Sequence, residues 1–181
     1  MARILVVYAS IDGHTARVAA RVAECLAQSG NAIMLRPVED ASARADDCDA
    51  AIVGGAIRYG HHPRALEAWV RANRAALAAR PNAFFSVCLS AGGPGAKPAA
   101  AQAYIDAFRK RTGWQPQSTA SFAGALLYRK YNPFIRLMMR LIVGAAGGDT
   151  DTSRDYEYTD WPAVERFATE VAAQPRQAQA A

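Results

Sequence analysis

The sequence predicts an α/β fold in which a parallel, doubly wound sheet of five strands is covered by helices on both faces. Short apolar runs such as Arg3–Tyr8 lack polar alternation, which is typical of strands buried on both sides. These runs alternate with longer segments whose apolar residues recur at helical spacing, and that alternation favours a parallel sheet. A chain of 181 residues suits one domain, which we expect to span 1–174.

The expected elements follow one another as strand–helix units. Strands are expected at 3–8, 31–38, 49–57, 82–90 and 118–128, and helices at 16–30, 63–80, around 104–108, within 128–148 and at 160–174. The last helix has Thr159 or Asp160 as its N-cap and Pro162 in its first turn. We expect the tail, 175–181, to be frayed because it has nothing to bury.

The charge is unevenly distributed along this basic chain, whose formal net charge is +5. Between Ala107 and Gly148 there is no acidic residue, whereas the basic residues there are Arg109, Lys110, Arg111, Arg129, Lys130, Arg136 and Arg140. A stretch of one sign indicates an anionic partner, such as lipid headgroups, nucleic acid or an acidic small molecule, unless it is simply a solvated face.

Cysteine usage and hydropathy narrow the class of protein. Cys25, Cys48 and Cys88 are odd in number and widely spaced, so we expect reduced structural thiols and no metal site. The sequence shows no signal-peptide pattern at its start and no apolar run that would span a bilayer. We therefore expect a cytoplasmic protein.

Three loops at the carboxyl ends of predicted strands are candidates for a ligand site, because doubly wound sheets bind ligands at that edge. The first, Ser10–Thr15, offers hydroxyls and a glycine before a helix, which suits a single phosphate group, although such residues also serve as plain helix caps. The second, Ala56–Gly60, combines small residues with Tyr59 and suits a planar ring. The third, Leu89–Gly93, offers unencumbered backbone groups.

The first loop, in the segment "YASIDGHT", resembles the FMN-phosphate loop of flavodoxin-like proteins. It departs from the common pattern by having Asp12 where threonine is usual. Since a carboxylate would repel a phosphate, we expect Asp12 to point outward or to cap the helix.

A narrower resemblance covers nearly the entire chain, from Arg3 to Val171. The segments "IDGHT", "GAIRYGHH", "FAGALLYRKY" and "GGDTDTSRDYEYTDW" resemble, in order and spacing, the flavodoxin-like, menaquinone-dependent protoporphyrinogen IX dehydrogenases of bacterial haem synthesis. The last two segments discriminate best, because ordinary flavodoxins lack them.

This resemblance implies the flavodoxin-like strand order 2-1-3-4-5, FMN as cofactor, protoporphyrinogen IX as substrate and a membrane quinone, menaquinone or ubiquinone, as electron acceptor. It also implies the cofactor-binding residues: Ser10, Ile11, Asp12, Gly13, His14, Thr15, Ala56, Ile57, Arg58, Tyr59, Gly60, Leu89, Ser90, Ala91, Gly92 and Gly93. No acid or base stands out. Arg58, His61 and His62 are candidates for a catalytic role, with a salt bridge and surface positions as the alternatives.

Residues 134–143 form an apolar segment that contains two arginines, Arg136 and Arg140, four residues apart. It is too short to span a bilayer, so we expect it to lie in the interface as a peripheral contact with the anionic inner-membrane surface or with substrate. The expected contact residues are Arg129, Lys130, Phe134, Arg136, Leu137, Met138, Arg140 and Leu141. Burial in the core or in a homodimer is the alternative. We expect no nucleic-acid partner.

Other functions remain open at this point. A flavodoxin-type electron carrier, a quinone reductase without a porphyrin substrate and a cofactor-free interaction module would share the fold. The net positive charge and the apolar helix disfavour a carrier of the acidic kind.

Overall fold

The computed structural model describes residues 1–174, so the predicted tail, 175–181, lies outside the described residues. The elements, in chain order, are β1 (Arg3–Ala9), α1 (His14–Gln28), β2 (Ala32–Pro37), β3 (Ala50–Ala56), α2 (Arg64–Ala72), α3 (Arg74–Ala78), β4 (Asn82–Cys88), α4 (Pro98–Thr112), β5 (Ser118–Ala123), β6 (Ala125–Leu126), α5 (Pro133–Ala145), β7 (Tyr156–Glu157) and α6 (Trp161–Ala172). Short 3₁₀ turns cover Ala45–Asp47, Leu89–Ala91 and Tyr128–Lys130.

The five long strands form one parallel sheet in the order β2-β1-β3-β4-β5, which confirms the predicted topology. The strand order changes direction between β1 and β3. At such a switch point the loops on the two strands leave toward opposite faces and open a crevice. The carboxyl ends of β1, β3 and β4 meet there.

Apolar side chains on both faces of the sheet form separate cores. On one face, Val18 and Val22 of α1 pack with Phe167 of α6 against the sheet. On the other, Leu66 of α2 and Phe108 of α4 are fully buried in a second core. Burial on both faces explains why the strands read as unbroken apolar runs.

Two predicted elements differ from the structure. The helix predicted at 63–80 breaks at Asn73, whose side-chain amide donates to the Trp69 carbonyl while its oxygen accepts from the Ala45 amide. An asparagine that bonds backbone groups in this way competes with the helix. The strand predicted at 118–128 ends at Ala123, and the chain then leaves the sheet as β6, which pairs antiparallel with β7.

The predicted apolar helix within 128–148 is real but shorter, because it begins at Pro133 and ends at Ala145. The Asn132 side chain caps it by accepting from the Ile135 amide. Val143 is the one buried residue of α5, so most of this helix lies outside the domain's cores. Across residues 1–174, no helix has both the length and the apolarity needed to cross a membrane.

Candidate functional site

A cleft of about 270 Å³ opens at the carboxyl ends of β1, β3 and β4, where the sequence predicted a ligand site. The predicted residues that line it are Ile11, Asp12, His14, Thr15, Ala56, Ile57, Arg58, Tyr59, Gly60, Leu89 and Ser90. The predicted residues Ser10, Gly13, Ala91, Gly92 and Gly93 belong to the same loops but are not part of its lining. The structure thus brings all three predicted loops to one cavity.

The loop after β1 ends at a helix terminus that lacks a side-chain cap. Gly13 precedes α1 with φ 87°, and within residues 1–174 no side chain caps the helix. Uncapped first-turn amides carry the positive end of the helix dipole, which favours an anion.

Ser10 and His14 each bury a polar atom that has no partner among the described residues, namely Ser10 Oγ and His14 Nδ1. The Thr159 hydroxyl donates to the Ala123 carbonyl and also lies 2.7 Å from His14 Nε2. Because that hydroxyl has one proton, the proton of neutral His14 belongs on Nε2. Burial lowers the pKa of His14. An orphaned hydroxyl at a helix terminus is the arrangement that a phosphate oxygen would satisfy.

Asp12 turns toward Arg58 rather than toward the helix terminus. Its Oδ1 lies 4.0 Å from Arg58 Nη1 across the rim of the cleft. The predicted helix cap by Asp12 is therefore not formed, and Asp12 lines the cleft beside Arg58. Both side chains are partly exposed, so the pair is worth at most about 1 kcal/mol.

Tyr59 occupies a strained backbone position in the second loop. Arg58 and His61 exchange two backbone hydrogen bonds around Tyr59 and Gly60, whose φ angles are 52° and 81°. These features define a two-residue type I′ hairpin, which usually has asparagine and glycine at its centre. Among the described residues Tyr59 is the single non-glycine with positive φ, at a cost of about 1–3 kcal/mol. Tyr59 is 66% exposed and lines the cleft.

The two candidate histidines lie outside the cleft lining. His61 is exposed, whereas His62 is buried edge-on against the stacked rings of Phe84 and Phe108, with Nε2 3.0 Å from Ser86 Oγ. Burial, followed by the charges of nearby Arg111 and His61, lowers the pKa of His62 to about 3. A histidine held neutral in the core cannot exchange protons with a ligand in the cleft. His62 is therefore not a proton relay.

Glycines on β3 make room for side chains of the two cores, one on each face of the sheet, rather than for a ligand. A Cβ atom on Gly54 would lie 2.1 Å from the Phe85 ring, and one on Gly55 would lie 2.7 Å from the His62 ring. Packing therefore explains the two glycines that directly precede the second loop.

Sequence reasoning missed the opposite wall of the cleft. Tyr104 of α4 and Tyr131 line it, together with Ile135, Met139 and Ile142 on one side of α5. Tyr131 is half-buried, and its burial raises its pKa. The resemblance of the segment "FAGALLYRKY" drew attention to this region. However, no local sequence pattern indicates that α5 lies against the cleft.

The other residues expected to contact a membrane or a substrate divide into two groups. Arg129, Lys130 and Arg140 are exposed, Met138 is half-buried, and the apolar side chains Phe134, Leu137 and Leu141 are 77%, 56% and 66% exposed. Arg136 differs from them. Its Nε and Nη2 donate to the carbonyls of Tyr128 and Tyr131, so it anchors α5 to the preceding turn instead of facing outward.

Comparisons with known proteins decide the family. The family model for the flavodoxin domain matches residues 5–153. The protoporphyrinogen IX dehydrogenase [quinone] of Leishmania major is 35% identical over 96% of this chain and 76% of its own length, and that of Escherichia coli K12 is 32% identical over 94% of each chain. This chain belongs to the protoporphyrinogen IX dehydrogenase family.

Solved structures agree with this dehydrogenase family on the fold. Oxidised flavodoxin 1 from Bacillus cereus superposes with a TM-score of 0.56 at 12% identity, covering 96% of this chain and 99% of its own. Flavodoxin 2 from the same organism gives 0.55 at 17% identity, covering 94% and 97%. At such identities the likeness concerns the fold alone.

Membership of the dehydrogenase family and the flavodoxin domain make the chain an oxidoreductase with a flavin cofactor. The residues present fit that group. The orphaned Ser10 hydroxyl and the uncapped start of α1 suit its phosphate end, and the walls formed by Tyr59 and Tyr104 suit a planar ring.

Proposed function

We propose that this protein binds FMN and oxidises protoporphyrinogen IX to protoporphyrin IX with a membrane quinone, menaquinone or ubiquinone, as acceptor, as a step of haem biosynthesis. Two observations support this proposal. Relatives named for this reaction match nearly the whole chain. The predicted flavin loops of this chain meet in one cleft. Full conversion removes six electrons and six protons, so it takes three turnovers, each of which passes two electrons and two protons to one quinone that leaves as quinol.

FMN, rather than a dinucleotide, suits the first loop. The loop offers one uncapped helix start and one orphaned serine hydroxyl, which is enough for a single phosphate. Within residues 10–15 there is no lysine of the kind that follows the glycine in nucleotide-triphosphate loops.

The residues of the cleft bind and shield the ring, whereas bound flavin supplies the two-electron chemistry. Arg58 is the cationic side chain of the lining, so it would stabilise negative charge on a bound ring or on a substrate carboxylate. Ile135, Met139 and Ile142 of α5 would shield one side of a bound ring from water. No residue is assigned as a general acid or base.

We also propose that the protein attaches peripherally to the cytoplasmic surface of an anionic membrane through α5. Phe134, Leu137 and Leu141 form an exposed apolar face of α5, and Arg129, Lys130 and Arg140 are exposed cations on α5 or in the turn before it. An amphipathic helix of this kind lies among headgroups and acyl chains. Cys25, Cys48 and Cys88 are free thiols, which suits the reducing side of a membrane.

An anaerobic assay tests the reaction. Protein reconstituted with FMN is mixed with protoporphyrinogen IX and a soluble quinone analogue, and porphyrin fluorescence is followed. We expect fluorescence to rise with both reactants present and to stay flat without the quinone once the flavin is reduced.

Two other outcomes would replace the proposal. Quinone reduction by another donor without porphyrin formation would indicate a quinone reductase. Flavin that is reduced by partner proteins but by neither reactant would indicate an electron carrier.

A further inference from the structure

A second cavity, of about 470 Å³, adjoins the cleft between the loop after β4 and the carboxyl half of α5. Its walls are largely apolar and include Leu126, Val143 and Ala146. The size lies within the range of pockets that hold drug-sized ligands. The third predicted loop contributes Leu89, Ser90 and Gly92 to its wall, whereas the first two loops and the phosphate site take no part in it.

The two cavities share part of their walls. Leu89, Ser90, Tyr104 and Ile142 line both of them. A ligand that fills the second cavity would therefore be the direct neighbour of a ring in the first. Such adjacency is what a redox substrate requires and what a purely structural void would not need.

Backbone contact between the loop and α5 closes one end of the second cavity. A Cβ atom on Gly95 would approach the Ala146 carbonyl to 3.1 Å, so glycine allows the loop to touch the helix terminus. The Lys97 amide donates to the Ser90 carbonyl at 2.8 Å and holds the loop in this shape.

Lys97 gives the cavity its charge. Among the described residues that line it, Lys97 alone is charged. The Lys97 ammonium forms no hydrogen bond or ion pair with any part of the chain that the structure describes. Tyr158, by contrast, already donates its hydroxyl to Asp149 Oδ2. An apolar cavity with one unpaired cation fits a largely apolar ligand that has an acidic substituent.

We propose that the second cavity binds the porphyrinogen macrocycle, with a propionate of the substrate on Lys97. This inference rests on the proposed function and extends it. An uncharged quinone would gain nothing from Lys97, whereas a tetrapyrrole with two propionates meets both the apolar walls and the ammonium group. The quinone would therefore reach the flavin from outside this second cavity.

Binding of protoporphyrin IX, the fluorescent product, to FMN-reconstituted protein provides the test. In Lys97→Gln the Kd of the free acid should rise about fivefold, while the Kd of its uncharged dimethyl ester should not change. Lys110→Gln is the matched control, since it removes an exposed charge from the far end of α4. Ala100→Phe, inside the cavity, should weaken both ligands at least tenfold, and Ala103→Phe, on the exposed side of α4, should weaken neither.

Kinetics provide the second readout. Ala100→Phe should raise the KM for protoporphyrinogen IX without changing the KM for the quinone analogue. If Lys97→Gln and Ala100→Phe bind both porphyrins as wild type does, the cavity assignment is wrong while the proposed function stands. If Ala100→Phe raises the quinone KM alone, the cavity belongs to the acceptor. If wild type neither binds nor oxidises the tetrapyrrole, the proposed function itself fails.

Discussion

His61 and His62 are neighbours in the chain, yet they occupy opposite environments. His61 is exposed beyond the type I′ turn, whereas His62 is packed among aromatic rings with its Nε2 beside Ser86. Of two consecutive histidines, one thus lies at the surface and the other in the core. Which of them faces inward depends on the φ angles of Tyr59 and Gly60.

The burial of His62 predicts a pH-dependent stability. Its pKa is 6.5 when exposed and about 3 in the fold, so between these values the unfolded chain binds a proton that the folded chain does not. The stability contributed above pH 6.5 is therefore lost as pH falls toward 3, with a slope approaching about 1.4 kcal/mol per pH unit. Urea unfolding between pH 7 and 4 should show that the slope is smaller in His62→Gln. An equal slope in His62→Gln and wild type would contradict the assignment.

The exposed neighbour supplies the control for this measurement. His61→Gln removes the same chemical group from the surface side of the turn. We expect this variant to keep the wild-type slope of the unfolding free energy, because the burial that shifts His62 is absent at His61.

Ser10 provides a second prediction at this scale. Its Oγ is buried without a partner, so Ser10→Ala removes an unsatisfied group from the apoprotein and also the hydroxyl meant for phosphate. We expect the melting temperature of the apoprotein to stay level or rise, and the Kd for FMN to rise about tenfold. Flavin fluorescence quenching measures that Kd. Riboflavin, which lacks the phosphate, serves as the control ligand, and its Kd should be the same in both proteins. If Ser10→Ala weakened the binding of FMN and of riboflavin equally, Ser10 would not contact the phosphate.

The loops that form the cleft could be predicted from the sequence, because three loops with glycines or hydroxyls follow buried strands at the edge where doubly wound sheets bind ligands. The orientation of the side chains within these loops could not be predicted. Asp12 pairs with Arg58, and His62 points into the core, because of side-chain packing between elements that are distant in sequence. Local patterns contain no information about such contacts.

Among the elements, α5 differs between its two sides, one of which lines the cleft while the other is exposed. Ile135 and Met139 line the cleft, while Phe134 and Leu137 face away from it. Arg136 anchors the helix through the carbonyls of Tyr128 and Tyr131. Since Tyr131 itself lines the cleft, this anchor also positions a cleft wall.

Two arginines on α5 allow a matched comparison. Arg136→Gln should lower the free energy of unfolding by about 1–2 kcal/mol, because two charge-assisted hydrogen bonds to carbonyls are lost. It should also weaken FMN binding through Tyr131. Arg140→Gln, on an exposed position, should leave both quantities unchanged. Thermal unfolding and flavin titration measure them. Equal effects of the two substitutions would show that Arg136 is not an anchor.

At the element scale, the buried strands were predictable because an apolar run of that length has one stable environment. The end of β5 at Ala123 was not, since "STASFAGALLY" continues to read as a strand. The chain leaves the sheet there because Ala125 and Leu126 pair with Tyr156 and Glu157, more than 25 residues further along.

For the molecule as a whole, the proposed membrane contact can be measured directly. Leu137→Glu combined with Leu141→Glu places two carboxylates on the exposed face of α5. We expect co-sedimentation with vesicles containing anionic lipid to fall at least tenfold, while FMN binding persists because neither residue lines the cleft. A doubly substituted protein that still binds FMN and co-sediments as wild type does would refute membrane docking. In that case the face would be left for a second copy of the chain, which analytical ultracentrifugation would detect.

The position of Ile142, half exposed on the outer surface at 52% and also part of both cavity walls, has a kinetic consequence. A protein adsorbed through this surface samples its oxidant in two dimensions. Turnover would then follow the number of quinone molecules per unit area of bilayer, and diluting the lipid with inert phospholipid would slow the reaction even at constant bulk molarity.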